Sequence, residues 1–202
     1  MSDDPEPRRL ILASGSPRRR DLLHRLGVAF EVVPSAVDER RPRRGEAPEH
    51  YALSLARDKV AEVSRAIPGA IVIGADTVVT IDGCILGKPK DAEDALATLR
   101  LLRGRVHQVI TGVAINCGGQ ERADFAVSNV AMVDAEDDEL RAYISTGEPM
   151  DKAGSYAVQE RGARLVERVE GSFSNVVGLP LCLTSHLLEA CGLRPTKPSR
   201  DV

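Results

Sequence analysis

Tryptophan is absent from this 202-residue chain, and phenylalanine and tyrosine number three each. So few aromatic rings leave no platform on which successive nucleic-acid bases would stack. A formal net charge of -3 supplies no overall attraction to a polyanion or an acidic membrane surface. The four cysteines, Cys84, Cys117, Cys182 and Cys191, lack metal-ligand spacing. With no secretory leader ahead of them, they read as reduced thiols of a cytoplasmic protein. No apolar run reaches the length of a membrane span. His24, His50, His107 and His186 are scattered without an H-E-x-x-H pair, so zinc-dependent hydrolysis lacks its ligands. G-x-S-x-G is missing, which removes the usual setting for a Ser-His-Asp site. Neither a Walker loop nor a dinucleotide fingerprint occurs. What remains is a globular composition, 43% hydrophobic and 28% charged, long enough to bury a sizeable core.

The stretch "LILASGSPRRRDLLHRLG", Leu10 to Gly27, carries the first positive signal. Leu10 to Leu12 read as a short buried strand that ends in the small-residue turn Ser14-Gly15-Ser16. Ser16 suits an N-cap, Pro17 the first helical position, and Gly27 the stop. The free N–H groups of that helix start leave room for an anion. Arg18 and Arg19 lie at the end of the helix dipole where cations are disfavoured, so an external negative partner suits them. Solvated surface charge is the plain alternative.

Further along, Phe30 to Pro34 reads as a strand and Ala47 to Ala66 as a helix. Asp82-Gly83 turns a hairpin, Asp91 caps a helix to Leu102, and Gly118-Gly119 turns a second hairpin. Asp137 is expected to cap a helix to Ile144. A strand over 165–169, the loop "EGSFSNVVGLP" and a helix over 180–191 complete the chain. Helices interleaved with hairpins predict an α/β or α+β fold with a mixed sheet, one domain over residues 10–192, and mobile polar tails at 1–9 and 193–202. His107, inside a strand, is expected to be a hydrogen-bonded core residue rather than a ligand.

Four charges sit where pattern does not favour them. Lys59 interrupts the helical stripe Ala52, Leu55, Ala56, Val60 and Val63. Asp76 lies within "IVIGADTVV", where a buried carboxylate needs a cation or hydrogen-bond donors. Lys88 stands between Gly87 and Pro89, and Glu39 lies in the charge run "VDERRPRR". Singly, each has an ordinary explanation: a snorkelling lysine, a carboxylate bonded to backbone at a bulge, a loop lysine, a solvated acid. Together, carboxylates for a divalent cation and cations for phosphates are the recurring parts of phosphoryl-transfer sites.

Eight blocks then appear in order: "LASGSPRR", "VDE", "LARDKV", "GADTVV", "LGKP", "HQVITGVA", "DKAGSYAVQ" and "VVGLPL". They resemble the Maf family of nucleoside triphosphate pyrophosphatases, historically called septum-formation inhibitors, over about Leu10 to Leu188. The resemblance implies an elongated Maf/ITPase-like α/β fold with a twisted mixed sheet, a deep cleft between two lobes, and often a homodimer. It implies phosphate binding by Ser14, Arg18 and Arg19, and a catalytic set of Glu39, Lys59, Asp76 and Lys88. Asp76 matches the proton acceptor and, with Glu39, the ligands of a divalent cation (Mg, Mn or Co). Arg18, Thr77 and Gln159 match the substrate-selecting positions. "DKAGSYAVQ" resembles the branch acting on dTTP and UTP, giving the monophosphate and pyrophosphate. Modified pyrimidine triphosphates, 7-methyl-GTP, or a non-catalytic nucleotide- or nucleic-acid-binding role in cell division are the alternatives. Nucleoside triphosphates are the implied partners, with no stable nucleic acid and no membrane. One departure stands out: "VQERG" places Glu160-Arg161 where a smaller, glycine-bearing turn is expected.

Overall fold

The computed structural model describes residues 9–196. Its strands are β1 (Leu10–Leu12), β2 (Glu31–Val32), β3 (Ile71–Ile81), β4 (Cys84–Leu86), β5 (Val106–Cys117), β6 (Gln120–Met132) and β7 (Val166–Glu170). They form one seven-stranded sheet in the order β2-β1-β3-β5-β6-β7, with β4 also on β3. β1 is parallel to both β2 and β3, and the other pairings are antiparallel. The expected mixed α/β sheet is present. The helices are α1 (Pro17–Arg25), α2 (Pro48–Ala66), α3 (Ala92–Leu102), α4 (Asp137–Ile144), α5 (Phe173–Val177) and α6 (Leu181–Glu189). None is long and apolar enough to cross a membrane, among the described residues.

The pairing of β3 explains the cleft. β1 pairs with β3 only over 71–73, and β4 pairs with it only over 79–81. Between them, residues 74–78 keep a strand partner on the β5 side alone. At that gap β1 leaves the sheet into the Ser14-Gly15-Ser16 turn, so the chain that caps α1 lies beside an open stretch of strand. The crevice outside the carboxyl end of a parallel strand is where α/β sheets commonly seat ligands.

Two glycines bring α2 onto this stretch. A Cβ at Gly74 would lie 2.8 Å from Val60 Cγ2, and one at Gly112 would lie 2.7 Å from the α2 backbone at Ala52 and Leu53. Gly112 is the β5 partner of Asp76, so helix backbone comes closest next to the buried acid. The stripe Ala52, Leu55, Ala56, Val60 and Val63 is buried as its spacing predicts. On the opposite face, Ile71, Ile73 and Ala75 join α1 and α6 in a second core.

Local details differ from expectation in several places. The second strand shrinks to two residues, both exposed. The cap of α4 is Glu136, whose N–H is met by Glu139 at 3.1 Å. Asp137 is drawn instead to Arg100 on α3 and to Arg103 at its C-cap. The loop after β7 contains α5, whose N-cap Ser172 accepts from Asn175 N–H at 3.0 Å. Five residues are too few for a 3.6-residue period to register. Arg40, in the charge run "VDERRPRR", is not loose surface charge: it is held by a bidentate pair with Glu46 (2.8 and 2.6 Å) and by Ser54 (2.7 Å). Those bonds, with a backbone N–H from Arg43, hold the Glu46 carboxyl down at about 2. Expected tail residues 193–196 are partly packed, with Thr196 bonded to Leu26 and Gly27 carbonyls. The remainder of both expected tails, 1–8 and 197–202, lies outside the described residues.

His107 is a core residue, 2% exposed, with Nε2 2.8 Å from the Tyr156 hydroxyl. Burial lowers its pKa from 6.5 to about 4, so folding favours the neutral ring. The stability this contributes is present above the unfolded pKa and is lost as pH falls toward the folded one. At about 1.4 kcal/mol per pH unit, the charging penalty approaches about 3 kcal/mol. His107→Gln keeps a polar partner for Tyr156 and cannot titrate. Between pH 7 and 4.5, urea unfolding of the unsubstituted protein should lose about 2 kcal/mol more than that variant. Parallel losses would show that His107 does not carry the acid sensitivity.

Candidate active site

A cleft of about 730 Å³ opens over the gap in the sheet. All nine expected site residues line it: Ser14, Arg18, Arg19, Glu39, Lys59, Asp76, Thr77, Lys88 and Gln159. Three of them form one ionic group. Lys59 Nζ lies 2.5 Å from Asp76 Oδ1 and 2.8 Å from Glu39 Oε1. Lys59 therefore does not snorkel to water; its ammonium ends between two carboxylates. Nor does Asp76 sit at a bulge, since the β3–β5 register runs unbroken from Val72 to Thr80. Asp76 is 6% exposed. Burial pushes its carboxyl above the usual range, opposed by the nearby charges of Lys59 and Arg19. Partial burial also opposes ionisation of Glu39, but Lys59, Lys88 and Arg19 together hold it below the usual range.

The three consecutive arginines have three different fates. Arg19 is a tie: Nε donates to the Gly178 carbonyl at 2.9 Å, and its NH groups reach Thr77 Oγ1 at 3.1 Å and Ser14 Oγ at 3.4 Å. Burial lowers its pKa, with partial compensation from Asp76 and Glu39. Arg20 faces solvent beside Asp21. Arg18, half-buried on the cleft wall, makes no hydrogen bond or ion pair among the described residues. It is the arginine with a free fork for an incoming anion.

Hydroxyl directions follow from these partners. Ser14 Oγ accepts from Ser16 N–H (3.2 Å) and from Arg19, leaving its own proton to donate into the cleft. Thr111 donates to the Asn175 carbonyl at 2.9 Å, so in the 2.9 Å contact between Thr77 and Thr111 it is Thr77 that donates. Arg19, Thr77, Thr111 and α5 thus form one directed chain. The sequence does not single out Thr111, Asn175 or the Gly178 carbonyl, because their roles come from contacts between residues 34 to 159 positions apart.

Glu39 and Asp76 each give one oxygen to Lys59, and nothing among the described residues bonds the other. A hard divalent cation held by one or two carboxylates and completed by substrate phosphate oxygens suits that donor set. Among the described residues, no group of three or more His, Cys, Asp and Glu is placed to hold a metal alone. Lys88 and Gln159 stand exposed on the cleft rim, without side-chain hydrogen bonds among the described residues.

A family model described as "Maf-like protein" matches residues 9–191. The chain belongs to the Maf family. Maf relatives are close in sequence: a dTTP/UTP pyrophosphatase of Anaeromyxobacter dehalogenans is 48% identical over 188 residues, covering 91% of this chain and 94% of that protein. One from Thermomicrobium roseum is 48% identical, covering 94% of this chain and 87% of that one. Another, from Dictyoglomus turgidum, is 46% identical, covering 91% and 96%. Within this Maf chain the ionic group and the arginine cradle occupy opposite faces of β3, since Asp76 and Thr77 are adjacent. The open edge over 74–78 lets both faces reach one cleft.

Proposed function

We propose that the protein hydrolyses dTTP and UTP at the α-phosphorus, releasing the nucleoside monophosphate and pyrophosphate in a reaction dependent on a divalent cation. The observation that carries this reading is the buried Lys59–Asp76 pair, with Glu39 on the same ammonium, facing the Ser14–Arg18 cradle across one cleft. The relatives' shared description supports the substrate class. Ser14, Arg18 and the α1 N–H groups hold the polyphosphate. A water opposite the leaving pyrophosphate attacks phosphorus; its oxygen–phosphorus bond forms as the bridging bond breaks. Asp76 takes the proton while Lys59 steadies its Oδ1. Lys88 and Arg18 offset charge gathering on pyrophosphate. The cation, held by Glu39 and Asp76, would acidify water and screen phosphate charge.

Pyrophosphate release measured over a panel of nucleoside triphosphates, with and without Mg²⁺ or Mn²⁺, tests the reading. dTTP and UTP should turn over, with metal only. Orthophosphate as the first product would overturn the α-phosphorus assignment, and absence of any turnover would leave a binding role in its place.

Gln159 supplies the base reading in this scheme: its amide accepts from N3–H and donates to O4 of thymine or uracil. Gln159→Glu loses the donor and turns a carboxylate toward O4. Unpaired polar contacts cost about 1–3 kcal/mol, so kcat/KM for UTP should fall roughly ten- to a hundredfold. CTP, whose N4 donates, should suffer less. An unchanged UTP-to-CTP ratio would remove Gln159 from base selection.

A further inference from the structure

The Glu160-Arg161 departure lies in a segment that one carboxylate organises. Glu148, half-buried, opens the short turn Glu148–Asp151 that follows α4. Its Oε1 accepts the Tyr143 hydroxyl at 2.9 Å and Gly162 N–H at 2.9 Å, while Oε2 accepts Arg161 N–H at 3.0 Å. The Tyr143 oxygen accepts Ala157 N–H at 3.1 Å. Backbone on both sides of Gln159, at 157 and at 161–162, is therefore tied to a single acid–phenol pair.

The fit also explains why two large residues are accommodated. Glu160 and Arg161 point to solvent, and Arg161 contributes only its backbone. The glycine the turn needs comes at Gly162, where a Cβ would lie 2.7 Å from both Tyr143 Oη and the Ala157 carbonyl. Tyr143 is fully buried, so the platform under the clamp belongs to the core.

We propose that Glu148 is a positioning residue for base selection: through Tyr143 and the 161–162 amides it holds the loop that presents the Gln159 amide to the pyrimidine. Glu148 lies outside the nine residues lining the phosphate and acid machinery. The inference rests on Gln159 reading the base, so the test carries both residues. kcat/KM for UTP and CTP is measured for the unsubstituted protein, Glu148→Ala, Gln159→Ala and the double variant. Without Glu148, three donors lose their acceptor and the loop samples other conformations. The UTP-to-CTP ratio should fall by about tenfold. In the Gln159→Ala background the ratio should not fall further, because the two act in series. A purely structural role would lower both nucleotides in parallel, and that result, with Gln159→Ala still shifting the ratio, overturns the inference. No shift in Gln159→Ala overturns the base reading itself. If Glu148→Ala does not fold, Glu148→Gln and Tyr143→Phe, each removing part of the clamp, must still lower the ratio; parallel losses in both overturn it.

Discussion

Asp76→Asn should reduce dTTP and UTP turnover by about 10²–10⁴-fold, the usual cost of losing a general base, with weaker cation binding adding to it. Asparagine keeps the shape and can accept from Lys59 through its carbonyl, so binding of nucleotide should persist. Stability should fall only modestly. Burial raises the Asp76 carboxyl above its ordinary value, so ionising it inside the fold has a cost that a neutral amide removes. The Lys59 ammonium left behind still has Glu39 as a partner at 2.8 Å. The expected combination is a dead enzyme that still unfolds cooperatively near the parent's Tm, read by thermal unfolding and by pyrophosphate release at saturating metal. Near-normal turnover would show that another group serves as base. Lost activity with a collapsed Tm would make the acid structural.

Lys59→Met should cost both activity and stability. The lysine is 9% exposed, and its ammonium is the one direct ion-pair partner of Asp76 among the described residues. Removing one member of a buried pair typically costs about 3–5 kcal/mol, because the other charge stays buried without compensation. Loss of the ammonium raises the Asp76 carboxyl further. The variant should thus be weakest at neutral pH and approach the parent as pH falls and Asp76 protonates. Lys59→Met combined with Asp76→Asn should regain much of the loss at pH 7. Denaturant unfolding of the two variants at pH 5 and pH 8 checks this. A destabilisation independent of pH, unrelieved by the second change, would mean that Lys59 contributes through its packed stem alone.

The local signals along the chain were strong because their causes are local. Ser16 caps α1 with Pro17 behind it, Asp91 caps α3 (2.9 Å to Asp94 N–H), and Asp82-Gly83 and Gly118-Gly119 turn the hairpins. Each rests on residues within a few positions of one another. Misplaced charges were legible for a related reason: Lys59 in an apolar stripe and Asp76 in an apolar strand break patterns that period alone defines. What a pattern break cannot supply is the partner. Snorkelling and ion pairing look alike along the sequence, and so do a solvated Glu39 and one bonded to Lys59.

By itself, the sequence determined most of the elements, the mixed sheet, the family and the residues worth watching. Only the tertiary structure decided which arginine is free and which is a tie, because Arg18 and Arg19 differ in what lies across from them: open cleft for one, the Gly178 carbonyl and Thr77 for the other. It also decided that Glu160 and Arg161 face solvent beside Gln159. That outcome depends on Glu148 and Tyr143, up to 18 positions earlier, meeting backbone amides whose donors no side-chain pattern reveals. Helix caps and hairpin turns are short-range and written in adjacent residues. The cleft arises because β1 and β4 pair with separate ends of β3, and strand pairing over that distance is settled only when the chain closes on itself.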